Sequence, residues 1–148
     1  GYRGLYSTYR IGSVLFRPKL RGALALLRVG EEMLLVRNSY NRWHTLPGGR
    51  VDRGETFRTG AARELREETG ISIPETAFTC VHAETHRWQQ RTERIEIHAT
   101  DLEARPAVHL DAVEIAEARW LTAEAALELR LYPPLRHYLE AARNGSGM

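Results

Sequence analysis

The chain has 148 residues, 43% of them apolar and 27% charged, with a formal net charge of +2. That length fits one domain able to bury a core without disulfides or a structural metal. The near-neutral balance makes a broad electrostatic footprint for nucleic acid or membrane weak.

The single cysteine, Cys80, excludes an internal disulfide framework and suits a reducing compartment, so a cytoplasmic location is expected. Lys19 is the only lysine, and every other basic residue is an arginine. Arginine binds phosphate bidentately, although a compositional bias of the source genome explains the same count.

In chain order, Tyr2, Leu5, Tyr6, Tyr9 and Phe16 fall near helical spacing with Arg3, Arg10 and Arg17 among them. This predicts an amphipathic segment over residues 1–20 packed on the domain. It carries no signal-peptide pattern, and no apolar run in the chain reaches membrane-spanning length.

The domain is expected over residues 21–143, followed by a flexible tail at 144–148. Gly22 to Arg28 and Met33 to Asn38 are β-rich runs joined at Val29-Gly30-Glu31, a predicted hairpin. Trp43 to Leu46 is a short extended piece leading into Pro47-Gly48-Gly49. From Thr56 to Thr69 the pattern is helical. Thr56 is the N-cap, Phe57, Ala61 and Leu65 form the core stripe, and Gly70 ends the helix.

Strands are expected over Phe78 to Arg87, Arg94 to Asp101 and Ala118 to Leu121. Thr122 caps a helix through Leu129, and Pro133-Pro134 opens a last helix whose face is Leu135, Tyr138, Leu139 and Ala142. Strands interspersed with helices imply an α/β or α+β layered domain.

The chemistry concentrates between residues 49 and 71. The helix places Glu64, Glu67 and Glu68 at i, i+3 and i+4, on one face within one turn. Like charges at that spacing repel, so something must offset them. Arg63 and Arg66 do part of it, and a divalent cation would do more. Carboxylate oxygens are hard ligands that suit Mg²⁺ or Mn²⁺. Ahead of the helix, Gly48 and Gly49 permit positive φ and close approach to a ligand, and a backbone carbonyl there could complete a metal shell. Glu55 can join that shell or hold Arg63.

Nine positions are fixed by the pattern: Gly49, Glu55, Arg63, Glu64, Leu65, Glu67, Glu68, Gly70 and Ile71. Chance would produce all nine on the order of once in a million. Together they resemble, at every specified position, the box of the Nudix hydrolase family, G-x5-E-x7-R-E-U-x-E-E-x-G-U with U a bulky aliphatic residue.

The resemblance implies an α/β/α sandwich with a mixed β-sheet. It also implies hydrolysis of a nucleoside diphosphate linked to another moiety, dependent on Mg²⁺ or Mn²⁺. By position it makes Glu67 and Glu68 metal ligands, Glu64 a ligand or base, and the Gly48 carbonyl part of the shell, with Arg63 among the catalytic residues. Glu114, six residues before Trp120, resembles a downstream glutamate that some members use for metal binding or catalysis.

Substrate-side expectations rest on weaker signals. Tyr40, Trp43 and Trp88 could stack on a base, and Arg37, Arg42 and Arg50 could hold a phosphate. Glu93 and Glu96 are lesser acid–base candidates. Cys80 reads as a small core residue. His82, His86 and His98 lie in strands without ligand spacing.

The expected partner is a small nucleotide-type substrate such as a nucleoside triphosphate. Nucleic acid and membrane are disfavoured; the oligomeric state is not legible in the sequence, and a homodimer is compatible with how common dimers are among small enzymes. Two alternatives compete: a non-catalytic nucleotide-sensing or interaction module on the same fold, and an RNA 5′-end pyrophosphohydrolase.

Overall fold

The computed structural model describes residues 19–88 and 90–146. The amphipathic segment expected over residues 1–20 thus lies outside the described part as far as residue 18, and Lys19 and Leu20 belong to a strand. The strands among the described residues are β1 (Lys19–Val29), β2 (Glu32–Asn38), β3 (His44–Thr45), β4 (Gly48–Arg50), β5 (Thr79–Trp88), β6 (Arg91–Leu102) and β7 (Ile115–Thr122). The helices are α1 (Phe57–Thr69), α2 (Ala123–Leu127) and α3 (Pro133–Ser146), with one 3₁₀ turn at Glu75–Ala77.

β1 is the spine of a mixed sheet. It pairs in parallel with β6 from Lys19↔Thr92 to Val29↔Leu102, and β5 returns antiparallel along β6 as the edge strand. On its other side β1 meets β2 only at Arg28↔Met33 and Val29↔Glu32. The tight turn there is closed by Gly30 at φ 60°. β2 then diverges to pair with β3 and β7, and the gap beside β1 is filled by β4.

Both faces of β1 are covered, which is why Ala23 to Leu27 reads as one apolar run rather than an alternation. Ala23, Ala25 and Leu27 pack with Ala61, Ala62 and Leu65 of α1. Leu24 and Leu26 pack with Ala126 of α2 and Leu135 and Leu139 of α3. The result is the expected α/β/α sandwich. No helix among the described residues is long and apolar enough to cross a membrane.

Several boundaries differ from expectation. The helix opened by Thr122 stops at Leu127 rather than Leu129. β7 runs from Ile115, three residues earlier than the sequence pattern indicates, because its pairing with β2 rather than its own composition sets its length. α3 extends through Asn144-Gly145-Ser146, which the sequence reading assigned to a tail.

β4 was not expected at all, and its glycines do a different job from the one foreseen. Among the described glycines positive φ occurs at Gly30, Gly54 and Gly70, not at Gly48 or Gly49. Instead Gly48 lies so close to β1 that an added Cβ would sit 2.3 Å from the Ala23 carbonyl oxygen and 2.8 Å from Leu24 Cα. Both neighbours are backbone and cannot rotate away. Gly48→Ala is therefore expected to cost about 2–3 kcal/mol and to loosen β4 from β1, read as a lowered urea midpoint.

α3 is tied to β5 by a polar cluster. The Glu84 carboxylate accepts from His82 Nε2 at 2.8 Å, His137 Nδ1 at 3.0 Å and His86 Nδ1 at 3.4 Å. Burial alone would raise the Glu84 carboxyl, but the bonds from His82 and His137 outweigh it and hold the group below its ordinary value. A depressed carboxyl stabilises the fold above its unfolded pKa and stops doing so as pH falls through the folded one. Glu84→Gln should thus cost about 1–2 kcal/mol near neutral pH. The gap from the parent protein should close as urea unfolding is repeated at progressively acid pH.

Candidate active site

The site is built where β4, the loop after it and α1 meet. Thr56 caps α1, its hydroxyl accepting from the Thr59 amide at 3.1 Å. Gly70 closes the helix at φ 75°. Between them the buried stripe contains the expected Ala61 and Leu65, and it also contains Glu64 at 0% and Glu68 at 5% exposure. Burying carboxylates on a core-facing stripe is costly unless they are paired.

Arg63 supplies much of that pairing. Its Nε and Nη2 donate to the Glu55 carboxylate at 2.7 and 3.0 Å, a bidentate contact. Its Nη1 donates to Glu64 and to Glu67, each at 3.1 Å. Nη2 also reaches the Arg50 carbonyl at 3.0 Å, tying β4 to the helix. Burial would lower the Arg63 pKa, but the bond to Glu55 and the charges of Glu64, Glu55 and Asp52 raise it well above its ordinary value. The cation is permanent.

Of the two roles foreseen for Glu55, the structure displays the orienting one. Its Oε1 additionally accepts the Asp52 amide at 2.8 Å, so the loop between β4 and α1 is braced by the same carboxylate. Asp52 itself stands 3.4 Å from Arg63, a neighbour that sequence reasoning missed. Its spacing three residues before Glu55 was the available signal.

Glu68 faces β4, where Gly48 donates its amide to Oε1 at 3.2 Å. Gly48 thus meets β1 through its missing side chain and Glu68 through its backbone amide. Glu67 is the most open of the three helix glutamates, with its side chain 31% exposed.

Glu114 lies on the loop between β6 and β7 and is buried. That loop is pinned to the C-terminal end of α1. The His109 amide donates to the Thr69 carbonyl at 2.8 Å and the Asp111 amide to the Glu68 carbonyl at 3.0 Å. The Glu114 carbonyl accepts from Ser39 at the end of β2. Tertiary structure therefore brings the Glu114 loop onto the helix end that carries Glu67 and Glu68, although 46 residues separate Glu114 from Glu68.

The substrate-side residues scatter. Tyr40 is 72% exposed, on the connection between β2 and β3. Arg37 is 3.6 Å from Glu117. Trp43 tilts against Tyr132 at 6.1 Å between centroids, with Arg130 over its ring. Arg50 sits at the end of β4 with its carbonyl on Arg63. Trp88 ends β5, on the far edge of the sheet from β3. Glu93 pairs with His86 at 3.5 Å and Glu96 with His98 at 2.9 Å. Cys80, expected in the core, is exposed on the edge strand.

A model of the NUDIX domain matches residues 18–142 of this chain. A putative 8-oxo-dGTP diphosphatase of Bacillus subtilis is 28% identical over 127 residues, covering 85% of this chain and 81% of that protein. An 8-oxo-dGDP phosphatase of Danio rerio is 33% identical over 84 residues, covering 54% of this chain. This chain spans 22% of that relative's length, and about a third of the length of two further relatives. Among solved structures, a MutT protein from Methanosarcina mazei Go1 superposes with a TM-score of 0.75 at 25% identity, covering 90% of this chain and 99% of that one.

Proposed function

The chain belongs to the Nudix family of hydrolases acting on acid-anhydride bonds, and from that premise we propose that it cleaves the diphosphate linkage of a small nucleotide with Mg²⁺ or Mn²⁺. The observation that carries the reading is the single guanidinium of Arg63 holding Glu55, Glu64 and Glu67, with Glu68 held by the Gly48 amide. The donor set fits such an ion. Glu64, Glu67 and Glu68 offer only hard carboxylate oxygens, and the Gly48 carbonyl would add a further hard oxygen. When bound, the ion would neutralise diphosphate oxygens and lower the pKa of an attacking water.

The remaining work belongs to the protein. Arg63 keeps Glu64 and Glu67 in fixed rotamers, so the donors need little reorganisation when substrate arrives. A carboxylate must accept the proton of the attacking water, and Glu64 and Glu114, both buried, are the two candidates. Tyr40 offers an exposed ring for a base, and Arg50 a cation beside β4 for a phosphate. Trp43 is the weaker stacking candidate, since Arg130 lies over its ring and Tyr132 packs against it at a tilt. A cytoplasmic setting fits the single cysteine.

Two relatives are named for oxidised guanine nucleotides, so these head the substrate panel. Nucleoside tri- and diphosphates, their 8-oxo forms, a dinucleoside tetraphosphate and ADP-ribose are to be incubated with titrated Mg²⁺ or Mn²⁺ and the products identified. The expected result is ion-dependent release of pyrophosphate and a nucleoside monophosphate from a triphosphate. Absence of turnover on every anhydride with both ions would overturn the proposal.

A further inference from the structure

We infer that Cys80, Glu96 and His98 form a second metal site, for a borderline cation such as Zn²⁺, on the outer strands of the sheet. Cys80 is distant in sequence from Glu96 and His98, but the β5–β6 register sets it directly opposite His98, with Glu96 two residues along on the same face. One ligand atom from each lies within 4.8 Å of the others. Glu96 Oε1 is 2.9 Å from His98 Nε2 and 3.8 Å from Cys80 Sγ. Ligands around a tetrahedral zinc stand roughly 3.3–3.8 Å apart, given metal–ligand bonds of about 2.0–2.3 Å. The observed separations bracket that range, so side-chain rotation alone can close the site.

Three features favour an ion over a chance cluster. First, thiol, imidazole and carboxylate together are the ligand chemistry of zinc rather than of magnesium. Second, His98 is buried, with its side chain only 6% exposed, and its Nε2 is the ring nitrogen turned toward Glu96 Oε1. Third, Arg94 Nη2 holds the other Glu96 oxygen at 3.1 Å, which fixes Oε1 toward His98 and Cys80.

Partial desolvation and the Glu96 charge push the Cys80 thiol up, and a divalent cation would reverse that balance. Exposure of Cys80 leaves the fourth position open to water or an external ligand. None of the three residues lies on α1 or on the loops that position it, so this site is independent of the carboxylate box.

Being the only cysteine, Cys80 gives a clean readout. The full chain is to be titrated with Co²⁺ alone, and in parallel its thiol is to be timed with a disulfide reagent before and after Zn²⁺. One equivalent of Co²⁺ is expected to give a thiolate-to-cobalt absorption band in the near ultraviolet. Zn²⁺ should slow thiol modification by about tenfold or more. Oxygen-only binding at the box glutamates gives neither signal.

Cys80→Ser should abolish the band and leave Mg²⁺-supported hydrolysis unchanged. Glu96→Gln, which keeps the volume, should weaken Co²⁺ binding by about tenfold. No band at roughly tenfold excess Co²⁺, a thiol rate indifferent to Zn²⁺, or a band that survives in Cys80→Ser would each overturn the inference.

Discussion

Glu67→Gln is expected to lower kcat on the responsive nucleotide by about 10²–10³-fold while the thermal midpoint stays level or rises. Glutamine keeps the side chain's length, and its remaining oxygen can still accept from Arg63 Nη1, now 3.1 Å away. What it removes is one negative charge from a turn where Glu64, Glu67 and Glu68 repel one another. Charge that stabilises a bound cation and the transition state destabilises the resting fold, so activity and stability should move apart. Chelation of the divalent ion in the parent protein should abolish turnover in the same way and leave the far-ultraviolet CD spectrum intact. If Glu67→Gln instead turned over at the parental rate, Glu67 would have no part in the reaction.

Arg63→Ala should fail in both respects. It removes two bonds to Glu55, one each to Glu64 and Glu67, and the bond to the Arg50 carbonyl that joins β4 to α1. Glu64 is wholly buried, and taking a cationic partner from a buried carboxylate typically costs about 3–5 kcal/mol. A loss of about 3 kcal/mol in urea unfolding is expected, with kcat falling at least as far as in Glu67→Gln.

Arg63→Lys separates charge from shape. An ammonium keeps the positive charge but cannot span Glu55, Glu64 and Glu67 with one planar fork. It should recover part of the stability and little of the turnover. Full recovery of both by lysine would mean that the charge alone matters and that the fork geometry is incidental.

The two variants also test how the box is organised. Glu55 and Arg63 act as positioning residues, whereas Glu67 is proposed to touch the ion. A site held together by Arg63 should therefore show a steeper divalent-ion requirement in Arg63→Lys, since the oxygen donors start from looser rotamers. Glu67→Gln should not recover at any ion concentration if the lost carboxylate is itself a ligand.

Much of α1 was legible in the sequence because its signals are local. Thr56 and Gly70 cap it, and Ala61 and Leu65 recur at helical spacing, all decided within one or two turns of chain. The hairpin of β1 and β2 was legible for the same reason, through Gly30 and the flanking β-branched and aliphatic runs. β4 was not. Three residues, two of them glycine, carry no strand signal of their own, and they become a strand only because β1 lies beside them. The length of β7 was likewise set by its partner.

Glu64, Glu67 and Glu68 on one helix face follow from a 3.6-residue repeat, and the resemblance of the whole box names the reaction class. The sequence by itself determined those two things, because both are properties of contiguous residues. Only the tertiary structure decided the rest. It buried Glu64 and Glu68 while leaving Glu67 partly open. It assigned Gly48 to close packing rather than to positive φ, and it brought the Glu114 loop to the end of α1 through two backbone bonds. It also set Cys80 opposite His98, where sequence spacing gives no hint of a ligand set. Each of these depends on register between segments far apart in the chain, and a register is a packing outcome that no local pattern encodes.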